Sequence, residues 1–266
     1  MEWIQELPAW AIGPVCVLAF VLPAVAGLRL VQLKIHERLR VGETLIDNGV
    51  VGWFFAGILT IYGITLGLIA VTTWESSSAV AGVASREAAA IAALYQDTGG
   101  FASPLREDLR AKLREYTRFV IDKVWPAQRR GEILTGGNRL LDEFQLVLFS
   151  NEPGSERMRL LQAEALDKFN ELVEWRRQRT EAVNDGVPGV IWAVIFSGAV
   201  LTIVTSYCFQ LQPFRLHLLL TSALATMIGL LVFLIAALDR PYRGAVSVEP
   251  TAYRIVLEGA MAEEGK

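Results

Sequence analysis

Cysteine and histidine are scarce in this chain, and charge is missing from long stretches of it. Its 266 residues hold two cysteines and two histidines. Cys16 and Cys208 both fall inside apolar runs, which argues against a disulfide framework and leaves no CxxC spacing for a metal. His36 and His217 are far apart and lie near basic residues, where they read as boundary side chains rather than ligands. No HExxH pair, GxSxG elbow or phosphate-binding P-loop occurs. Catalysis needs polar groups that converge. None are offered, so the expectation is a protein that is not an enzyme, with no cofactor and no metal. The net charge of -3 comes from interleaved acidic and basic residues, without the basic arm that a nucleic acid would call for.

Four runs, Ala9–Leu28, Val50–Val71, Val187–Phe209 and Leu216–Leu238, contain no Asp, Glu, Lys or Arg. Each has about the 20 residues that a helix needs to cross the hydrocarbon core of a bilayer. The chain is 53% hydrophobic and 20% charged, so the two classes are set in blocks rather than mixed at a period of 2 or 3.6. This is the pattern of an integral membrane protein whose first partner is the lipid bilayer. The first run follows Glu2 and Glu6 rather than a basic stretch, and no small-residue cleavage site follows it cleanly. It is expected to be kept as a helix rather than removed as a signal peptide.

The fold class read from this pattern is all-α: four transmembrane helices in two hairpins around a helical extramembrane insert. Residues 1–73 make the first hairpin, with spans near 9–28 and 50–73; 74–186 make the insert, 187–238 the second hairpin and 239–266 a tail. Asp47-Asn48-Gly49 predicts a turn ahead of the second span. No breaker separates that span from the polar sequence after it, so one helix of about 70 Å is expected from Val50 to Gln96, stopped by Gly99-Gly100. Pro104 opens a further helix that Pro126 and Gly131 end; others are expected over 138–151 and 155–185. Pro250–Glu264 is at best a short amphipathic helix.

The second span differs from the other three. It carries Gly52, Gly57, Gly63 and Gly67 together with Thr60, Thr65, Thr72 and Thr73. Gly63 and Gly67 form a small-xxx-small face that lets helix backbones approach, so they are assigned to helix packing. Ile58, Ile61, Thr65, Leu68 or Ile69, and Thr72 recur at steps of three and four and line one side. Such a face can be an interior packing stripe. It can also line a pore that gates by wetting and dewetting, which would require a ring of subunits because one helix encloses nothing. With no ionisable residue inside the spans, a charge-coupled pump is disfavoured. Trp74, at the end of this run, suits the membrane boundary.

Several segments resemble the bestrophin-like domain family of bacterial membrane proteins. They are Asn48-Gly49, Ile61-Tyr62, Val71-Thr72-Thr73-Trp74, Arg86-Glu87-Ala88, Ala93-Leu94-Tyr95, Trp125-Pro126, Asn170-Glu171-Leu172, Arg176-Arg177 and Leu238-Asp239-Arg240-Pro241. The family is distantly similar to the true bestrophins, which are pentameric anion channels. The resemblance implies a homo-oligomer, a pentamer by analogy, that conducts small inorganic ions. Its second membrane helix would line the pore, with neck positions near Gly57, Ile61 and Thr65. It also implies the inner membrane of a bacterium, crossed several times. Where bestrophins carry an acidic calcium clasp, Asp239-Arg240-Pro241-Tyr242-Arg243-Gly244 has no acidic run, so calcium gating is not expected.

Outside the spans, Glu87 falls on an apolar stripe with Val80, Val83, Ile91 and Leu94. A buried carboxylate is costly unless paired, and Arg176 or Arg177 is the expected partner, in a structural ion pair or a gating contact. Asp239 and Arg240 are expected to cap the last span and fix its depth at the membrane boundary. Orientation signals conflict. Arg29, Lys34, Arg38 and Arg40 after the first span would place the insert outside by the positive-inside rule. Arg86, Arg176, Arg177, Arg179, Arg240 and Arg243, and the resemblance, place it in the cytosol, the side adopted here. The leading expectation is an anion channel; the alternative is a non-conducting scaffold or sensor whose insert binds a partner.

Overall fold

The structure, a computed structural model, describes residues 9–38, 47–150, 152–243 and 246–262, with only the backbone of 9–12 and 34–38. The basic positions Lys34, Arg38 and Arg40 and the His36 side chain lie outside the described features. Among the described residues every regular element is helical and no strand occurs. The helices are α1 (Ala9–Arg38), α2 (Asn48–Asp97), α3 (Leu105–Phe119), α4 (Trp125–Arg129), α5 (Gly136–Phe149), α6 (Glu156–Glu181), α7 (Gly189–Ser206), α8 (Phe214–Leu238) and α9 (Thr251–Glu258). The chain divides into two units. One takes the described residues up to Ser76, Gly186–Asp239 and Val246; the other takes Ser77–Asp185, Arg240–Arg243 and the described residues from Ser247 on. Helix α2 therefore contributes to both.

The first unit holds the membrane spans. α1, α2, α7 and α8 each contain a segment long and apolar enough to cross a bilayer, with mean hydropathy between 2.0 and 2.5. Their shared core is small: Ala24, Tyr62, Leu66, Ala70, Ile195, Ala199, Ile203, Ala225, Ile228, Val232 and Ile235. Most other apolar side chains point outward, among them Trp53 at 83% exposure and Val190 at 77%. A surface of that kind is an aggregation liability in water; against lipid tails it is the required exterior. Two tyrosines of this unit turn their hydroxyls onto backbone carbonyls of other helices, as hydrocarbon favours. The Tyr62 hydroxyl donates to the Ile195 carbonyl at 2.9 Å and the Tyr207 hydroxyl to the Ala24 carbonyl at 2.9 Å.

Where Asp47-Asn48-Gly49 predicted a turn, the residues instead start the helix. The Asp47 carboxylate accepts from the Gly49 N–H at 2.7 Å, supplying an acceptor to an otherwise orphan donor. Asn48 ties this end to the α7–α8 loop, donating to the Gln210 carbonyl at 2.8 Å and accepting from the Gln210 N–H at 2.9 Å.

One close backbone approach in this unit lies on α8 rather than at Gly63 or Gly67. A Cβ added at Gly229 on α8 would stand 2.9 Å from the Val17 Cα on α1, whereas one added at Gly63 or Gly67 would meet nothing within 4 Å. The small-residue contact that holds α1 to α8 is therefore Gly229. Gly229→Ala should force the two backbones apart and cost about 1–3 kcal/mol. The thermal midpoint of the detergent-solubilised protein, compared with that of Gly67→Ala, measures this; an unchanged midpoint in Gly229→Ala contradicts it.

The second unit is a bundle of amphipathic helices around Leu94, Leu113, Tyr116, Trp125, Leu141, Phe144, Phe169 and Leu172. α3 and α5 pack together, with Leu109, Leu113 and Tyr116 facing Leu140, Leu141 and Phe144 across this core. The helical path does not end at Pro126. It widens into a π turn over Val120–Val124 and continues as α4, with the proline in the first turn. Proline lacks an N–H and its ring crowds the carbonyl four residues back; the wider turn makes room for both. The stop comes at Gly131, whose φ of 77° suits glycine. Ser155 caps α6 by accepting from the Met158 N–H at 3.2 Å. The C-terminal stretch belongs to this bundle: Tyr253 of α9 is fully buried, and the Trp125 indole donates to the Val248 carbonyl at 2.9 Å.

Candidate pore face and the buried charge pair

Successive residues of an α-helix are about 100° apart, so α2 can be read as a set of faces. The first unit buries one of them, through Tyr62, Leu66, Ala70 and Thr73. The face assigned to a pore lies on one flank of that stripe. Ile61 is 71% exposed and Leu68 63%. Thr72 is exposed, while Ile58, Thr65 and Ile69 are half-buried. Of these, Ile69 packs partly against the membrane core. Gly63 and Gly67 lie on the opposite flank and are exposed, with no packing partner inside the chain. The Thr65 hydroxyl donates to the Ile61 carbonyl at 2.8 Å and the Thr72 hydroxyl to the Leu68 carbonyl at 3.1 Å. Their protons are used within the helix, so the face presents methyl groups and acceptor oxygens rather than free donors. Its chemistry is aliphatic, with a few acceptor oxygens.

Trp74 is 58% exposed, as a boundary indole can be. Asp239 follows α8 directly, and its carboxylate accepts from the Val187 N–H at 2.5 Å, just ahead of α7. Arg240 donates to the Asn184 carbonyl at 2.9 Å. Both residues thus bind backbone near the start of α7 rather than only ending their own helix.

Glu87 is fully buried, and its partner is neither Arg176 nor Arg177. The Arg179 guanidinium reaches it, Nε to Oε2 at 2.5 Å and Nη2 to Oε1 at 3.2 Å. Arg177 is exposed and engaged with Glu174 and Glu181 on its own helix. Arg176 points elsewhere, its Nη2 lying 3.2 Å from where a Gly137 Cβ would sit. The reason is helical phase. Ala165, Phe169 and Leu172 form the buried stripe of α6, and Arg179 extends it by seven residues from Leu172. That spacing was present in the sequence and would have identified Arg179.

Tyrosines complete the centre. The Tyr116 hydroxyl donates to Glu87 Oε1 at 2.7 Å. The Arg179 guanidinium carbon is 5.9 Å from the centre of the Trp125 ring, which also meets the rings of Tyr242 and Tyr253 edge-on. Burial works against the Arg179 charge, but Glu87 together with Tyr253 and Tyr116 outweighs it and holds the guanidinium above its usual range. Burial, with the Glu87 charge, pushes Tyr116 and Tyr253 well above the ordinary phenol value, and burial pushes Tyr242 up as well. A phenol raised in the folded state contributes stability that is complete below its unfolded value, near pH 10, and is lost as pH rises. From neutral pH upward, chemical denaturation should therefore find these tyrosines contributing constant stability to about pH 10 and a decline above it. Tyr242→Phe, which removes a hydroxyl with no hydrogen-bond partner among the described residues, should make that decline shallower. Equal slopes in the two proteins contradict the assignment.

The profile of the bestrophin-like domain matches residues 18–253, most of the chain and parts of both units. The chain belongs to the bestrophin-like domain family. A crystal structure of a membrane protein shares its fold, with a TM-score of 0.67 at 12% identity, covering 93% of this chain and 98% of that one. A search of curated proteins finds no match. Together with the four spans, the family match makes this a multi-pass membrane protein related to bestrophin channels. In this bestrophin-like protein the region after the last span is engaged in backbone contacts, through Asp239 and Arg240. Among the described residues no three His, Cys, Asp or Glu side chains group where a metal could be held.

Proposed function

We propose that this bestrophin-like protein is a subunit of an oligomeric channel, that it conducts small anions, and that α2 lines the pore. It would work as a channel and not as an enzyme, in the bacterial inner membrane with the helical insert in the cytosol. The observation that carries the reading is the exposure of Ile61, Leu68 and Thr72 on a helix whose other side is buried in its own chain. A ring of such helices would enclose an aliphatic constriction dotted with threonine, which opens by wetting. Gly63 and Gly67, open on the other flank, would then meet the neighbouring subunit, where small residues let helices approach.

The orientation is supported by fewer free cations than the sequence suggested. Arg179 is buried against Glu87, and Arg177 is held by two glutamates. Arg86 lies 4.9 Å over the Trp175 ring and keeps its charge near the surface.

The test is planar-bilayer recording of the purified protein together with native mass spectrometry of its assembly. Discrete anion currents from an assembly of four or more chains are expected. A monomer or dimer without conductance under varied salt, voltage and pH would sink the channel reading and favour the scaffold or sensor.

A further inference from the structure

Helix α3 carries an arginine at every fourth position, Arg106, Arg110, Arg114 and Arg118, which places them along one side of the helix. Arg106 is paired with Glu107 at 3.1 Å. The two central arginines have no carboxylate partner among the described residues. Both converge on Tyr95, near the end of α2. The Arg110 guanidinium carbon lies 4.8 Å from the centre of the Tyr95 ring. The Arg114 guanidinium carbon lies 5.4 Å from it, with Nη2 donating to the Tyr95 hydroxyl at 2.6 Å and Nε to the Met261 carbonyl at 3.2 Å. Arg114 Nη1 has no protein acceptor among the described residues. Nor has any nitrogen of Arg110, whose Nε is shut away from solvent.

Two half-buried guanidiniums sharing one aromatic ring repel each other. The ring face and the negative end of the α2 dipole offset part of one charge, and among the described residues nothing offsets the rest. The backbone leaves room there: a Cβ at Gly99 would stand 3.1 Å from Arg110 Nη2. We propose that Arg110 and Arg114, braced by Tyr95, form a binding site for a phosphate group. The guanidinium fork matches an oxyanion in two parallel hydrogen bonds, which a lone chloride cannot accept. The group could be free phosphate or the headgroup of an anionic lipid; the chemistry that the two arginines recognise is the same. The site lies in the second unit and does not depend on whether the protein conducts.

Isothermal titration of the full chain in neutral detergent, at fixed ionic strength, with inorganic phosphate tests it. A second arm measures binding to vesicles of phosphatidylcholine with and without phosphatidic acid. Saturable binding is expected in at least one arm, and the arm that shows it identifies the source. Arg110→Gln and Arg114→Gln should each weaken it about tenfold or more. Arg110→Lys, which keeps the charge and loses the fork, should recover only part of it, and Arg106→Gln should bind as the parent does. Circular dichroism of each variant checks that the fold is kept. Absence of saturable binding in both arms, or equal binding by the folded Arg110→Gln variant, overturns the site.

Discussion

Arg179→Ala is expected to unfold the extramembrane bundle, or to leave it barely stable, while the membrane spans stay helical. The Glu87 carboxylate is fully buried, and Arg179 and Tyr116 are its hydrogen-bond partners. Removing the arginine strands a charge that no water reaches. Breaking a buried pair from one side costs about 3–5 kcal/mol, a large part of the stability of an ordinary domain. The tyrosine hydroxyl alone cannot replace a charged partner.

The same reasoning gives the control. Glu87→Gln removes the charge and leaves polar groups that can still bond, so Glu87→Gln combined with Arg179→Met should be less damaging than Arg179→Ala alone. That non-additivity is the signature of two residues acting as one unit. Denaturation followed by tryptophan fluorescence reads the bundle, because Trp125 packs against the pair. If Arg179→Ala left the transition unmoved, the ion pair would not be the anchor of this core.

The architecture was legible because hydrocarbon is an unforgiving solvent. Charge-free runs of the right length have one comfortable place, and the long α2 follows from the lack of any breaker between Val50 and Gln96. What could not be read were the choices that depend on how helices meet. Gly63-xxx-Gly67 carries the sequence mark of a packing face, yet the close contact between α1 and α8 uses Gly229, which shares that mark with Ala225; the spacing alone does not say which pair meets a helix of its own chain. Arg176, Arg177 and Arg179 stand together, and for these the sequence did hold the answer, because Arg179 follows Leu172 by seven residues on the apolar stripe of α6. Pro126 reads as a stop, and the π turn that ends two residues earlier, at Val124, absorbs it. Tyr253 and Tyr242 gave no signal, because a tail segment shows its burial only once the bundle it covers exists.

The second large effect is expected on α2 itself. Exposure of Ile61 and Leu68 fits a pore, but lipid would accept these side chains as readily. Thr72 and Thr65 separate the two cases, because a thiol reacts through its thiolate, which needs water. In a protein freed of Cys16 and Cys208, single cysteines at positions 61, 65, 68 and 72 should react with a charged, water-soluble thiol reagent about tenfold faster or more than cysteines at Leu66 and Ala70, which face the chain's own core. The reactive set should recur at three- and four-residue steps, as one face of a helix does. Reagent attached at position 61 should block the anion current. Ile61→Ala should widen the constriction and raise conductance, and Ile61→Glu should turn selectivity towards cations by placing a ring of negative charge in the pore. Uniformly slow reaction at all four positions, with currents indifferent to Ile61, would mean that this face meets lipid. A conducting pathway, if present, would then have to be sought on the flank that carries Gly63 and Gly67.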